Sequence, residues 1–249
     1  MLNNQTPPPL LLFLHGFGQK RTAELDSLRQ AFQQDMDILM PDLFDPTDAR
    51  DSDGILWANR ALAAVERQLL KGREIILGGF PMGAVIACWV ASQLPVRKLI
   101  LVSPAFDLLN LKNTGNVLNT VLHQFAHLQS PQDLANFNGL PAPFYQTLLD
   151  VVSRFRPYAA QLHCPVLLIH GSEDSIVSVQ SARYAFARIP SAQKQMFTLE
   201  NGHHVLFEDE GVCQEVLALI RLFLQDQIVV RPDAHSPDQA VKTEIHKQD

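Results

Sequence analysis

Six short apolar runs, at residues 10–14, 37–40, 74–77, 98–102, 166–169 and 195–199, alternate with longer segments whose apolar residues recur every three and four positions. Runs so short and so rich in Leu, Ile and Val suit strands buried on both faces. The periodic segments at 22–34, 55–70, 84–93, 178–188 and 212–225 suit the crossover helices that would cover such strands. The pattern predicts an α/β fold: a mostly parallel sheet of about six strands with helices on both faces. A chain of 249 residues accommodates this as one domain, expected over 1–226.

Between about 104 and 160 the alternation lapses. No strand-like run occurs there, only helix-like stretches near 116–128 and 144–156, which read as an inserted helical cap. In the first stretch Val117, Leu118, Val121, Leu122, Phe125 and Leu128 share one face. Residues 227–249 are polar and without a sustained period, so a disordered tail is expected.

Several function classes are disfavoured. The net charge is −6 and no long basic run occurs, so no nucleic-acid partner is expected. Apolar runs such as 9–14 fall far short of the roughly 20 residues that span a bilayer, so no integral membrane segment is expected. The first five residues lack a positive signal region, and the expected location is cytoplasmic. Cys88, Cys164 and Cys213 are odd in number and widely spaced, and read as reduced thiols. His123 and His127 stand four apart, but no glutamate follows His123 and no third ligand is apparent; they read as solvated side chains. No metal or cofactor is expected, and oligomeric state leaves no signature.

The chemistry-bearing residues fall just after strands. His15-Gly16-Phe17-Gly18 follows the first, where glycine permits a tight loop that aims backbone N–H groups above the sheet. Gly79-Phe80-Pro81-Met82-Gly83 follows the third and leads directly into a helix, the setting of a Gly-x-Ser-x-Gly nucleophile elbow with proline at its centre. His170-Gly171-Ser172-Glu173-Asp174 follows the fifth and puts one acid in a loop at the carboxyl end of a strand. Glu200-Asn201-Gly202-His203-His204 follows the sixth, leaving room for one helix and one strand after the acid.

These motifs, in this order, resemble those of the α/β-hydrolase superfamily, and in particular its small esterases and lysophospholipase-like members with a helical cap. The resemblance spans about residues 10–225. It implies that Asp174 is the acid that orients a histidine, that His203 is the base, and that Phe17 and Met82 supply the oxyanion-hole N–H groups. His204 is the less favoured base, because in the family the histidine directly follows the glycine. The nucleophile position falls on Pro81.

Proline has no hydroxyl, and its φ is locked near −65° where the elbow nucleophile normally adopts positive φ, so the sharp turn is expected to relax. Ser103, at the end of the fourth run, is the nearest substitute nucleophile, but serine before proline reads as a structural turn residue. Cys88 reads as core, Ser172 and Ser175 as loop caps, and His15 and His170 as structural hydrogen-bonding residues. The expected function is a carboxylic-ester-hydrolase scaffold, inactive or strongly impaired as a serine esterase. The alternatives are a non-catalytic binder of a small hydrophobic or acyl-type ligand, and a non-covalent enzyme with His203 and Asp174 as general base and orienter.

Overall fold

A computed structural model describes residues 8–18, 21–107 and 140–228. Strands β1 (Leu10–Leu14), β2 (Asp37–Leu39), β3 (Ile75–Gly79), β4 (Lys98–Val102), β5 (Val166–Gly171) and β6 (Lys194–Leu199) form one sheet in the order β2-β1-β3-β4-β5-β6. Every neighbouring pair is parallel. The helices are α1 (Asp26–Phe32), α2 (Gly54–Leu69), α3 (Met82–Gln93), α4 (Ala142–Phe155), α5 (Val179–Arg188) and α6 (Cys213–Leu224).

The continuous apolar character of the inner strands follows from two cores, one on each face. Leu10, Leu12 and Leu14 of β1 join Trp57 and Val65 of α2, Val85 and Ile86 of α3, and Phe144 of α4. Leu11 and Phe13 point the other way, to Leu28 and Phe32 of α1 and Val216 and Ile220 of α6. Each strand residue therefore removes apolar area from water whichever way it points, worth roughly 25 cal/mol per Å². Helix starts are held locally: the Asp53 carboxylate accepts from the Ile55 and Leu56 amides ahead of α2, and the Ser178 hydroxyl accepts from Gln180 ahead of α5. At the far edge Lys98, almost fully buried, donates to the terminal carbonyls of Phe223 and Leu224 at 2.6 and 2.9 Å, tying α6 to the sheet.

The six-stranded parallel sheet agrees with the sequence reading, with boundary differences that pairing explains. β3 runs on through Gly78 and Gly79 because both remain in register with Phe13 and Leu14 of β1. β5 runs on to Gly171, opposite Leu199 of β6. The helix read over 22–34 is instead a 3-10 turn, Arg21–Leu25, followed by the short α1. The second stretch of the expected cap is α4, continued by a 3-10 segment, Arg156–Gln161. α4 is anchored on the domain: the Thr147 hydroxyl donates to the Ser52 carbonyl at 2.7 Å, and Phe144 packs edge-on against Phe44 and at a tilt against Trp57, at centroid distances of 5.5 and 5.3 Å. The first stretch, with His123 and His127, lies outside the described residues, as do residues 229–249 of the expected tail. Among the described residues no helix is long and apolar enough to cross a membrane.

The closest approach of helix to sheet is at Gly83, where an added Cβ would run into the carbonyl oxygens of Leu14 and His15. Only a glycine lets the first turn of α3 sit on the end of β1. Gly83→Ala is expected to lower unfolding free energy by about 3 kcal/mol, read from urea melts, because both obstacles are backbone atoms that cannot rotate away.

Candidate active site

The carboxyl ends of β1, β3, β4 and β5 and the loop after β6 converge on one edge of the sheet. In the β1 loop His15 is fully buried, and its Nε2 accepts from the Leu43 amide at 2.9 Å. The ring proton is thereby assigned to Nδ1, which donates to the Gly16 carbonyl at 2.8 Å. His15 holds the loop that carries Phe17. The Phe17 ring in turn packs on Tyr145 at 5.5 Å and lies near Phe44 and Trp57 at 6.2 and 6.5 Å, an aromatic wall beside the loop.

After β3 the chain turns at Pro81, whose φ and ψ are −74° and −37°, inside the right-handed helical region. It is the N-cap of α3, and Met82 is the first helical residue, fully buried. The Phe80 amide donates to Leu14 at 3.1 Å, the Gly83 amide donates back to Phe80 at 3.2 Å, and the Pro81 carbonyl accepts from Ala105 at 3.2 Å. A Cβ on Gly16 would lie 2.6 Å from Pro81 Cδ and 3.3 Å from a carboxylate oxygen of buried Glu24. The pyrrolidine ring is thus wedged against the β1 loop, and the loops bearing Phe17 and Met82 meet at that wedge. Among the described residues the non-glycine positive φ values belong to Ser103, Asn201 and Asp226, not to the turn at 81.

Ser103 is fully buried at φ 42°, and its hydroxyl donates to the His204 carbonyl at 3.1 Å while its amide donates to Ile169 at 2.8 Å. The side chain anchors backbone.

Asp174 is held from all sides. Its side chain is 0% exposed; Oδ1 accepts from the Ile176 and Val177 amides at 3.0 and 2.8 Å. Oδ2 meets His204 Nδ1 at 2.8 Å and His170 Nε2 at 3.3 Å. Burial alone would push this carboxyl up, but the imidazoles of His204 and His170 facing it together hold it well below the usual carboxylate range.

The structure does not bring Asp174 and His203 together. His203 is 66% exposed, and both its amide and its Nδ1 are bound by Asp209 Oδ2, at 3.0 and 2.9 Å. The partner of Asp174 is His204, 5% exposed, whose ring packs on Phe80 at 5.2 Å. Successive side chains after the left-handed turn at Asn201 point to opposite sides, and Asp209 captures the first of them. Of the adjacent pair His203-His204 it is the second, the less favoured from the sequence, that bonds Asp174, because Asp209, six residues on from His203, holds the first. With Nδ1 of His204 bound to a buried carboxylate, its proton belongs there and the lone pair belongs on Nε2, the arrangement of an imidazole able to accept a proton.

Residues 9–150 match the family model described as alpha/beta hydrolase fold, and this covers more than half of the chain. The chain belongs to that family. Residues 129–211 of this α/β hydrolase-fold protein also match the model described as serine aminopeptidase, S33. A search of curated protein sequences gives no match. Similar solved structures include one reported for the metagenome-derived lipolytic enzymes LipS and LipT, at 17% identity and TM-score 0.71, covering 89% of this chain and 94% of that one. Est1E from Butyrivibrio proteoclasticus is 18% identical with TM-score 0.66, covering 90% of each chain. Alpha/beta hydrolase domain-containing protein 10 from mouse is 16% identical with TM-score 0.68, covering 91% of this chain and 93% of that one. At such identities these likenesses speak to the fold.

Because the folded Asp174 carboxyl titrates below its unfolded value, its contribution to stability is complete above about pH 4 and fades as pH falls toward the folded midpoint. Asp174→Asn is therefore expected to cost about 2 kcal/mol at pH 7 and less in acid, a narrowing that urea melts at pH 7 and about pH 3 would reveal.

Proposed function

We propose that this protein is a carboxylic-ester-hydrolase scaffold whose acid and base, Asp174 and His204, are retained while proline at the nucleophile position abolishes the acylation step. The observation that carries this reading is the 2.8 Å bond between a buried Asp174 and a buried His204 whose ring packs on Phe80, the residue next to Pro81. A histidine at that position is suited to take a proton from a hydroxyl at residue 81, and proline offers neither hydroxyl nor amide proton. Loss of the nucleophile alone lowers turnover on the order of 10⁶-fold in a well-studied serine hydrolase, leaving about 10³ to 10⁴ over water. The amides of Phe17 and Met82 are our assigned oxyanion donors; a first-turn helical amide such as that of Met82 has no partner within its own helix.

The ligand class we assign is a small hydrophobic or acyl-type molecule. The aromatic wall of Phe17, Tyr145, Phe44 and Trp57 supports this, as does the similarity of the fold to those of lipolytic enzymes and of a monoacylglycerol lipase from Paleococcus ferrophilus. One observation favours a second reading. The Asp174–His204 pair remains fully assembled without a nucleophile to serve, which suits non-covalent general-base chemistry with His204 in the role first given to His203. A ligand-binding role would use the same pair as hydrogen-bonding groups.

Pro81→Ser is expected to raise hydrolysis of short p-nitrophenyl esters by at least about 10³-fold over the chain as it stands. In that background His204→Ala should abolish the gain, whereas His203→Ala should leave it within a few-fold. A folded Pro81→Ser protein that neither hydrolyses these esters nor reacts with a fluorophosphonate would sink the ester-hydrolase reading. Turnover by the unchanged chain that His204→Ala removes would favour the general-base reading instead.

A further inference from the structure

The Asp174 carboxylate serves two imidazoles, and the proposed chemistry accounts for only one. His170, on β5, is fully buried. Its Nε2 lies 2.7 Å from the Val177 carbonyl and 3.3 Å from Asp174 Oδ2. Both neighbours are acceptors, so the ring proton is on Nε2 and the lone pair on Nδ1. That Nδ1 is buried with no hydrogen-bond partner among the described residues.

An orphaned buried acceptor costs about 1–3 kcal/mol, a cost that an apolar side chain at this buried position of β5, opposite Thr198 of β6, would not carry. The compensation has to lie at Nε2. A bond to Val177 alone would close the 170–177 loop. The additional approach to Oδ2 places the donor on the very oxygen that accepts from His204.

We infer that His170 is a positioning residue for the Asp174–His204 pair, its Nε2–H clamping the carboxylate in the orientation in which Oδ2 meets the His204 ring. The inference rests on the reading of His204 as the base. The carboxylate is then held by three hydrogen bonds, from the amides of Ile176 and Val177 on Oδ1 and from His204 on Oδ2, with His170 Nε2, whose shorter bond is to Val177, making a longer 3.3 Å approach to Oδ2. A donor shared by Oδ2 withdraws electron density that would otherwise stabilise a protonated His204, so His170 restrains the basicity of that ring. Of the other ionisable groups of these loops, Glu173, His203 and Asp209 pair with one another on the exposed side, with Glu173 3.8 Å from His203, and Glu200, Glu208 and Glu210 also lie on the loop after β6. Phe80 packs on the ring, and the Ser103 hydroxyl bonds the His204 backbone carbonyl.

The test is NMR titration of the full chain labelled with ¹⁵N-histidine, which reads the imidazoles directly and requires no substrate. In His170→Leu the midpoint of His204 is expected to rise by about 0.5 to 1 pH unit, and in His170→Gln, whose amide can reach the same acceptors, to return toward the native value. An unchanged His204 midpoint in folded His170→Leu overturns the inference. Should the leucine variant not fold, Asp174→Asn supplies a second reading: the His170 Nε2 proton is expected to move upfield on losing its charged acceptor, and an unmoved resonance overturns the inference equally. Because no turnover is measured, failure of the Pro81→Ser protein to hydrolyse esters would count against the ester-hydrolase reading alone.

Discussion

Burial of the sheet on both faces is the constraint from which the rest follows. With α2, α3 and α4 on one side and α1 and α6 on the other, the inner strands have no polar face on which to build a site. Polar groups gather at their carboxyl ends, as His170 does near the end of β5, and in the loops beyond. Because all neighbouring strands run the same way, the loops after β1, β3, β4 and β5 and the loop after β6 reach the same edge, where His15, Pro81, Ser103, Asp174 and His204 gather. The contact of Gly83 with the end of β1 brings two of these loops close enough to share a wall.

Pro81 shows how a rigid backbone dihedral propagates. At φ −74° the residue continues into α3 as an ordinary helix start, and its ring presses on the glycine of the β1 loop. Nothing comparable happens on the other half of the site, where Asp174 and His204 sit on loops joined by Ser172 to Leu199 and Glu173 to Gly202 backbone bonds of 2.8 and 2.9 Å. The two halves are supported by different strands and meet where the His204 ring packs on Phe80.

The fold was legible because short strands buried on both faces must be apolar throughout and their crossover helices must be amphipathic; both periods survive in a single sequence. The loops of the candidate site could be placed from the sequence too, since loops after strands carry few constraints other than their own glycines and polar residues. The identity of the histidine was not. His203 and His204 are chemically identical neighbours, and only the turn at Asn201 and the capture of His203 by Asp209 decide which ring faces inward. Those are three-dimensional facts. For His170 the sequence suggested a structural hydrogen-bonding residue but no partner; its bond to Val177 and its approach to Asp174 depend on how the 170–177 loop folds back.

Ser103 carries a mechanical consequence. A left-handed backbone costs an L-residue roughly 1–2 kcal/mol, and here that geometry turns the hydroxyl onto the carbonyl of His204. The same residue's amide is bonded to β5 through Ile169, so the histidine loop is riveted to two central strands at one point. The backbone beneath the imidazole is consequently pinned to the rigid frame of the sheet, which leaves the bond to Asp174 and the contact with Phe80 to set how the ring itself is turned.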